Sequence, residues 1–310
     1  MKKKVLVVGF GRMGLSHTVI VSGILGAGNV EFYVCDPSFF SRKIAAGLVR
    51  GVQFVTLEQL RGDQALVASF DYILLTAPPF LRGEFLALLD GFRGRVFVEK
   101  PVFVRLGENQ MSGYVNQHAP LNPVLKQRLS GEKVTRVKAR LITNASFESI
   151  KSGWRSQSYG SVLHEFGGHV MSLVGAVLPD SAVFGKPVSD IFLKVDAHSR
   201  DLAKFSFVDG DVEYCIDLVA NSSEVRKATY DVVIETKEDE IKYDLYSISS
   251  GRGRFATVSL PETGVGVSYY LRGFDFTRQM EAFLFGDMDV LKSAQIEAME
   301  SILVAVGGGK

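Results

Sequence analysis

A glutamate and a lysine interrupt an otherwise apolar run at residues 95–104, RVFVEKPVFV, and a proline follows them. A strand buried on both faces does not carry a charged pair in its middle, and Pro101 has no N–H to give to a ladder. The strand is therefore expected to stop at Glu99 and to present Lys100 where it ends, with the fixed φ of Pro101 turning the chain away. An ammonium there could stabilise charge developing on an oxygen. The second chemical stretch is LHEFGGH at 163–169. Glu165 and His169 are four residues apart, which places a carboxylate and an imidazole on one face of a helix, and a histidine exchanges protons near neutral pH. His164 and His169 are five apart, about 140° round a helix at roughly 100° per residue. The zinc arrangement H-E-x-x-H needs a spacing of four, so no metal is expected.

A third stretch binds rather than reacts. KVLVVG (4–9) reads as a short buried strand, and GFGRMG follows with Gly9, Gly11 and Gly14 in G-x-G-x-x-G spacing around Phe10, Arg12 and Met13. In a dinucleotide site the first glycine makes the turn, the second admits the pyrophosphate and the third lets helix and strand pack. The anion would rest on the N–H groups of the helix that RMGLSHTVIVSGIL (12–25) predicts. The next strand, VEFYVCD, ends at Asp36, where a carboxylate can bond the adenosine ribose hydroxyls. That carboxylate repels a 2′-phosphate, so NAD is favoured over NADP, while Arg42 and Lys43 on the following helix keep NADP open.

These positions need a frame. DYILLTAPP (71–79) reads as a further buried strand, FLRGEFLALLDGF (80–92) as a helix and RVFVEKP as the next strand. Such alternation implies an α/β domain with a doubly wound parallel sheet. Ligands bind at the carboxyl ends of its strands, which selects Thr76, Ala77, Pro78, Glu99 and Lys100 beside the glycine loop. From residue 133 the pattern changes to strand-like runs at 133–146, 190–199, 203–220 and 228–246, with hairpin turns at VDGDV and TKEDE. A second, α+β domain with a large and mostly antiparallel sheet is expected, the division falling at HAPLNP: 1–120 and 121–310. Alternation in the last run assigns Val232, Ile234, Tyr243 and Leu245 to an outer face, and covering that face predicts homodimers or homotetramers.

Composition narrows the classes. The chain has 310 residues, 46% hydrophobic and 22% charged, with a formal net charge of +1. No basic excess is available to drive counterion release from nucleic acid. Two cysteines, Cys35 and Cys215, far apart and in apolar surroundings, argue against a disulfide scaffold or a thiolate metal site and fit a reducing compartment. The apolar run after MKKK is broken at Gly9 and Gly11, too early for a signal peptide, and no run has the ~18 apolar residues of a membrane span. A cytoplasmic protein is the expectation, with no membrane partner.

Taken in order, GFGRMG, CDPS, TAPPFLRGEF, VFVEKP, SGY, then SGWRSQSYGSVLHEFGGHVMSLVG and the closing FTRQMEAFLFGD and AQIEAMESILVAV resemble the glucose–fructose oxidoreductase / inositol dehydrogenase / MocA family over nearly the full chain. The resemblance implies a Rossmann domain followed by an α/β domain, and hydride transfer to NAD(P) from a secondary hydroxyl of a sugar, nucleotide sugar or cyclitol. By the same resemblance Lys100 holds the substrate oxygen, His169 removes its proton and Glu165 partners the histidine or contacts the substrate. Tyr114, Trp154 and Arg155 are pocket candidates, the aromatics for a sugar ring and the guanidinium for an anionic group. The chain departs from the family where Glu165 stands for the usual Asp and Gln117 for a frequent Arg. Two other activities occur on this fold: glycoside hydrolysis with retained NAD, and non-catalytic sensing of a nucleotide or sugar.

Overall fold

The computed structural model describes residues 2–102, 105–150, 160–178, 184, 186–245, 247–250, 258–259, 267–286 and 291–308, with backbone alone at 258–259 and 267–274. The chain forms two compact units, 1–113 with 276–289, and 114–275 with 290–310.

In the first unit, strands β1 (Lys3–Val8), β2 (Val30–Cys35), β3 (Gln53–Phe54), β4 (Tyr72–Leu75), β5 (Arg95–Val98) and β6 (Gln110–Ser112) alternate with helices α1 (Arg12–Leu25), α2 (Phe39–Leu48), α3 (Leu57–Gly62), α4 (Gln64–Ala68) and α5 (Pro79–Leu88). All pairings are parallel, in the order β3-β2-β1-β4-β5-β6. This is a Rossmann-like sheet. Its central strands are valine- and leucine-rich because helices cover both faces; Val5, Val7, Leu74, Leu75, Val96, Phe97 and Val98 are wholly buried. Local signals set the helix starts. Ser38 accepts the Ser41 N–H at α2, Thr56 and Gln59 form a capping box at α3, and Pro79 opens α5.

Two features of this unit differ from the reading of the sequence. The chain stays on the first sheet to Gly113, whose N–H bonds the Val98 carbonyl at 2.7 Å. The segment 114–123 is built into the second unit instead. Its short 3-10 turn Val115–His118 is buried, and Asn122 Nδ2 donates to the carbonyls of Asn116 and Gln117, each at 2.9 Å. The first unit also recovers a late segment, 276–286. Met280, Phe283 and Leu284 enter its core, the Tyr72 hydroxyl donates to the Leu284 carbonyl, and Arg95 Nη1 donates to the Phe283 carbonyl.

The second unit contains α6 (Asn122–Arg128), β7 (Val134–Ile142), a π-helical turn Leu163–Gly167 running into α7 (Gly168–Val177), β8 (Phe192–His198), β9 (Leu202–Asp209), β10 (Val212–Val219), β11 (Thr229–Thr236), β12 (Glu240–Tyr243), β13 (Ser247–Ser250), β14 (Val258–Ser259), α8 (Val267–Phe285), which continues into the first unit, and α9 (Ser293–Val306). Its sheet runs β14-β13-β12-β11-β7-β10-β9-β8, antiparallel except for β7 with β10. Both expected hairpins form, β9–β10 around Gly210 at φ +62° and β11–β12 closed by Thr236 N–H to the Asp239 carbonyl.

The outer face of that sheet is not the one expected. Val232, Ile234, Tyr243 and Leu245 are 1%, 0%, 1% and 2% exposed. Val232 lies opposite Ala139 and Tyr243, and Ile234 opposite Val137 and Ile241, so Val232, Ile234 and Tyr243 share the covered face. The outward face carries Arg136, Lys138 and Arg140 on β7, paired across strands with Glu213, Glu235 and Asp217. The argument for dimers or tetramers from an apolar outer face therefore loses its premise.

Among the described residues no helix is long and apolar enough to cross a membrane. Phe283 is wholly buried and meets Tyr72 and Phe97 edge-on, both at 5.7 Å between ring centroids. Phe283→Ala should cost about 3–5 kcal/mol in urea unfolding; a loss below about 1 kcal/mol would detach the 276–286 segment from the core of the first unit.

Candidate functional site

The end of β1 turns at Gly9, whose φ of +86° suits glycine. Helix α1 then passes so close that a Cβ on Gly14 would lie 2.2 Å from the Gly9 carbonyl oxygen and 2.9 Å from Thr76 Oγ1. Gly11 is different: a Cβ there would meet no protein atom within 4 Å. It occupies the N-cap of α1, where no side chain caps the helix and no acidic residue stands in the first turn. The amides at Arg12, Met13 and Gly14 thus begin a helix that still has room and charge preference for an anion.

Asp36 is tied into the same turn. Its Oδ2 accepts the Phe10 N–H at 2.6 Å and its Oδ1 the Ser38 N–H at 2.8 Å. Thr76 uses its hydroxyl on the carbonyls of Val8 and Gly9, at 3.1 and 2.5 Å. Ala77 backbone lies 2.8 Å from the Cβ position of Gly9, and Pro78 occupies the N-cap of α5. Gly9 to Gly14, Asp36 and Thr76 to Pro78 are therefore one connected cluster at the carboxyl ends of β1, β2 and β4.

Strand β5 stops at Val98, one residue before the charged pair. The Glu99 side chain is 6% exposed and turned inward. One oxygen meets His17 Nε2 at 2.9 Å, and the other accepts the Lys100 N–H at 3.0 Å. Burial pushes the Glu99 carboxyl up, but the His17 hydrogen bond and the charges of His17, Lys100 and Arg82 outweigh it and hold the group below the ordinary carboxylate range. Glu99 thus acts on the turn from inside. His17 and Arg82 had no place in the sequence reading. His17 is wholly buried on α1, and Arg82, 2% exposed on α5, donates to the carbonyls of Glu99, Lys100 and Pro101 in this turn and to that of Ala77. The Lys100–Pro101 peptide is cis.

In the second unit, His169 lies in the first turn of α7. Its ring stands edge-on to Tyr114, centroids 6.0 Å apart at 87°, and 6.5 Å from Phe166. Its carbonyl receives Asn116 Nδ2 at 3.4 Å and Ser172 Oγ at 3.2 Å. Tyr114 is 1% exposed and gives its hydroxyl to Glu300, a buried carboxylate on α9. A Cβ on Gly168 would lie 2.4 Å from the Tyr114 ring. Tyr114 is thus a wall behind the histidine rather than an open aromatic face for a sugar ring. Its partner Glu300 was also missed, though a lone acid on the apolar stripe of a helix is a visible signal.

The π turn changes the count round this helix, since its hydrogen bonds run from i to i+5. His164 Nδ1 meets Ser161 Oγ at 2.8 Å. Burial, then the neighbouring His198, lower the His164 pKa, with Glu165 opposing them. The two histidines address different neighbours. Glu165 is buried, and its charge bears on His164. Lys100 belongs to the first unit and Glu165 and His169 to the second, while Trp154 and Arg155 fall outside the described residues.

No family model matches the chain, and no curated protein matches it in sequence. Solved structures do match in fold. A levoglucosan dehydrogenase in complex with NADH and levoglucosan has a TM-score of 0.67 at 14% identity, covering 100% of this chain and 91% of that one. The WlbA dehydrogenase from Thermus thermophilus, in complex with NAD and UDP-GlcNAcA, also scores 0.67 at 14% identity, over 98% and 94%. An oxidoreductase from Agrobacterium radiobacter, in complex with NAD+, L-tartaric acid and magnesium, scores 0.70 at 12% identity, over 100% and 95%. At these identities the likeness establishes the fold.

The Glu99 environment has a pH signature. Because folding holds this carboxyl below its ordinary 4.5, the unfolded chain takes up the proton first. The contribution is complete above that value and is lost as pH falls through the lower folded one. Urea midpoints of the wild type should drop over that acid window. Glu99→Gln should be less stable at neutral pH by about 3–5 kcal/mol and should lack this part of the acid slope; an unchanged slope would remove Glu99 from the pair.

Proposed function

We propose that the chain is an NAD-dependent dehydrogenase of the glucose–fructose oxidoreductase / inositol dehydrogenase / MocA family, oxidising a secondary hydroxyl of a sugar, nucleotide sugar or cyclitol. The observation that carries this reading is the strand end at Glu99–Pro101. It places a lysine at the same edge of a parallel sheet as an uncapped glycine loop and Asp36, held there by a buried carboxylate. The sugar and nucleotide-sugar ligands of the structural neighbours support the substrate class.

The glycine loop fits a dinucleotide. Gly9, Phe10, Gly11, Arg12, Met13 and Gly14 would hold the pyrophosphate, with the space at Gly11 admitting it. Asp36 would take the ribose hydroxyls on its remaining lone pairs, and Thr76, Ala77 and Pro78 would border the far half. When bound, NAD supplies the hydride acceptor. The chain's own residues handle the proton and the charge. Lys100 donates to the substrate hydroxyl oxygen and stabilises the negative charge that grows there. His169 takes the hydroxyl proton, its ring direction set by Tyr114 and Phe166 and its carbonyl by Asn116 and Ser172. Glu165 would partner the histidine, as the family resemblance implies.

The test is incubation with NAD, and separately NADP, against levoglucosan, L-sorbose, a cyclitol and UDP-sugars, following NADH absorbance. Absence of reduced cofactor with every compound would sink the dehydrogenase reading, and glycoside cleavage without net NADH would replace it with the hydrolase. With a substrate in hand, Lys100→Met should bind NADH nearly as well as the wild type while turnover falls by about 10²–10³. His169→Asn should lower turnover and flatten its pH dependence near neutrality. Turnover of Lys100→Met within a few-fold of wild type would leave Glu99–Pro101 as a strand terminus only.

A further inference from the structure

We infer that Arg82 is a positioning residue for Lys100, an assignment that rests on the proposed role of that lysine. Arg82 lies in the first turns of α5 and is 2% exposed. Its guanidinium is spent on backbone carbonyls from two separate loops. Nε donates to Ala77 at 2.8 Å, Nη2 to Lys100 at 3.2 Å, and Nη1 to both Glu99 and Pro101. Ala77 belongs to the loop after β4, and residues 99–101 to the turn after β5.

Burying a guanidinium costs free energy unless its donors are used. Here the planar fork meets four acceptors, which no other side chain could span, since an ammonium carries its three donors on one atom. The consequence is geometric. With the carbonyls of Glu99, Lys100 and Pro101 all drawn to one cation, the peptide planes on both sides of Lys100 are set, and with them the direction of its Cα–Cβ bond. The same cation sets the distance of that turn from Ala77, whose backbone touches the glycine turn at Gly9. Glu99 secures the turn through the Lys100 N–H and His17; Arg82 secures it through the carbonyls. One group uses the donor of the turn and the other its acceptors.

Arg82→Met and Arg82→Lys in the full chain test this assignment. Lysine acylation by acetic anhydride, read peptide by peptide with mass spectrometry, reports the setting of each amine without any substrate. In Arg82→Met, Lys100 should change its acylation rate several-fold while Lys4 and Lys43 keep theirs, and NADH affinity by fluorescence should stay near wild type. With a substrate from the panel, kcat should fall by about 100-fold, the scale of a displacement of roughly 1 Å at a reacting group, and Arg82→Lys should recover only part of it. Wild-type Lys100 reactivity and wild-type kcat in Arg82→Met would overturn the assignment. If neither variant folds or binds NADH, the arginine is a structural clamp and the positioning role is overturned as well. A panel that yields no substrate defeats the dehydrogenase reading, while the acylation comparison still decides on Arg82.

Discussion

A carboxylate inside a protein has to be satisfied where it lies, and much of the first unit is arranged around Glu99. Its two oxygens are divided between an imidazole on α1 and the amide of the next residue in its own turn. Helix α1 is the same helix that begins at the glycine loop. The helix that begins at the glycine turn and the Lys100 turn are thus joined by a buried pair, across 82 residues of sequence. Desolvation alone would drive the carboxyl towards its neutral form; the His17 hydrogen bond, with the charges around it, outweighs that and holds its pKa below the ordinary value. A short apolar strand can end in three polar or rigid residues only because the interior supplies these partners.

What the sequence revealed and what it hid follow the range of the forces involved. Helix α1 was expected at 12–25 and runs over Arg12–Leu25, because its boundary signals, a glycine at each end, are local. The strand end at Val98 was legible for the same reason: a charged pair and a proline cannot continue a ladder. The partners of Glu99 and Lys100 were not. Nothing in the spacing of His17 or Arg82 marks them, since each acts on residues 17 to 82 positions away. Face assignment in the second sheet failed at Val232 and Ile234 because period-2 alternation separates the two sides of a strand without saying which side the helices cover. The division of the chain was misplaced by the prolines of HAPLNP, which mark a local change of direction inside a packed segment. Helical counting at 163–169 assumed 3.6 residues per turn, and a π turn occupies that stretch.

The second unit positions its histidine from the sheet side. The corner between β8 and β9 holds the approach to α7: the Arg200 carbonyl accepts the Val162 N–H at 2.7 Å, and Arg200 Nε donates to the Gly160 carbonyl at 2.8 Å. Asp201 next to it accepts the Phe147 N–H and the Ser146 hydroxyl. From the other side α9 supplies Glu300 to Tyr114, and Tyr114 packs on Gly168 and His169. The entry to the helix is thus held by Arg200 and Asp201, and the ring behind its first turn by Glu300.

The π turn at Leu163–Gly167 has a bearing on how such a chain could diverge. A turn of this kind wraps one residue more than an α turn, so adding or deleting a single residue there would interconvert the two. Each residue of an α-helix advances its face by about 100°. A one-codon deletion before Gly168 would therefore swing the histidine to a different compass bearing, or swing the helix instead if its packing against Tyr114 and α9 yields first. So small a genetic event at this turn would bear on the presentation of His169 at the start of α7.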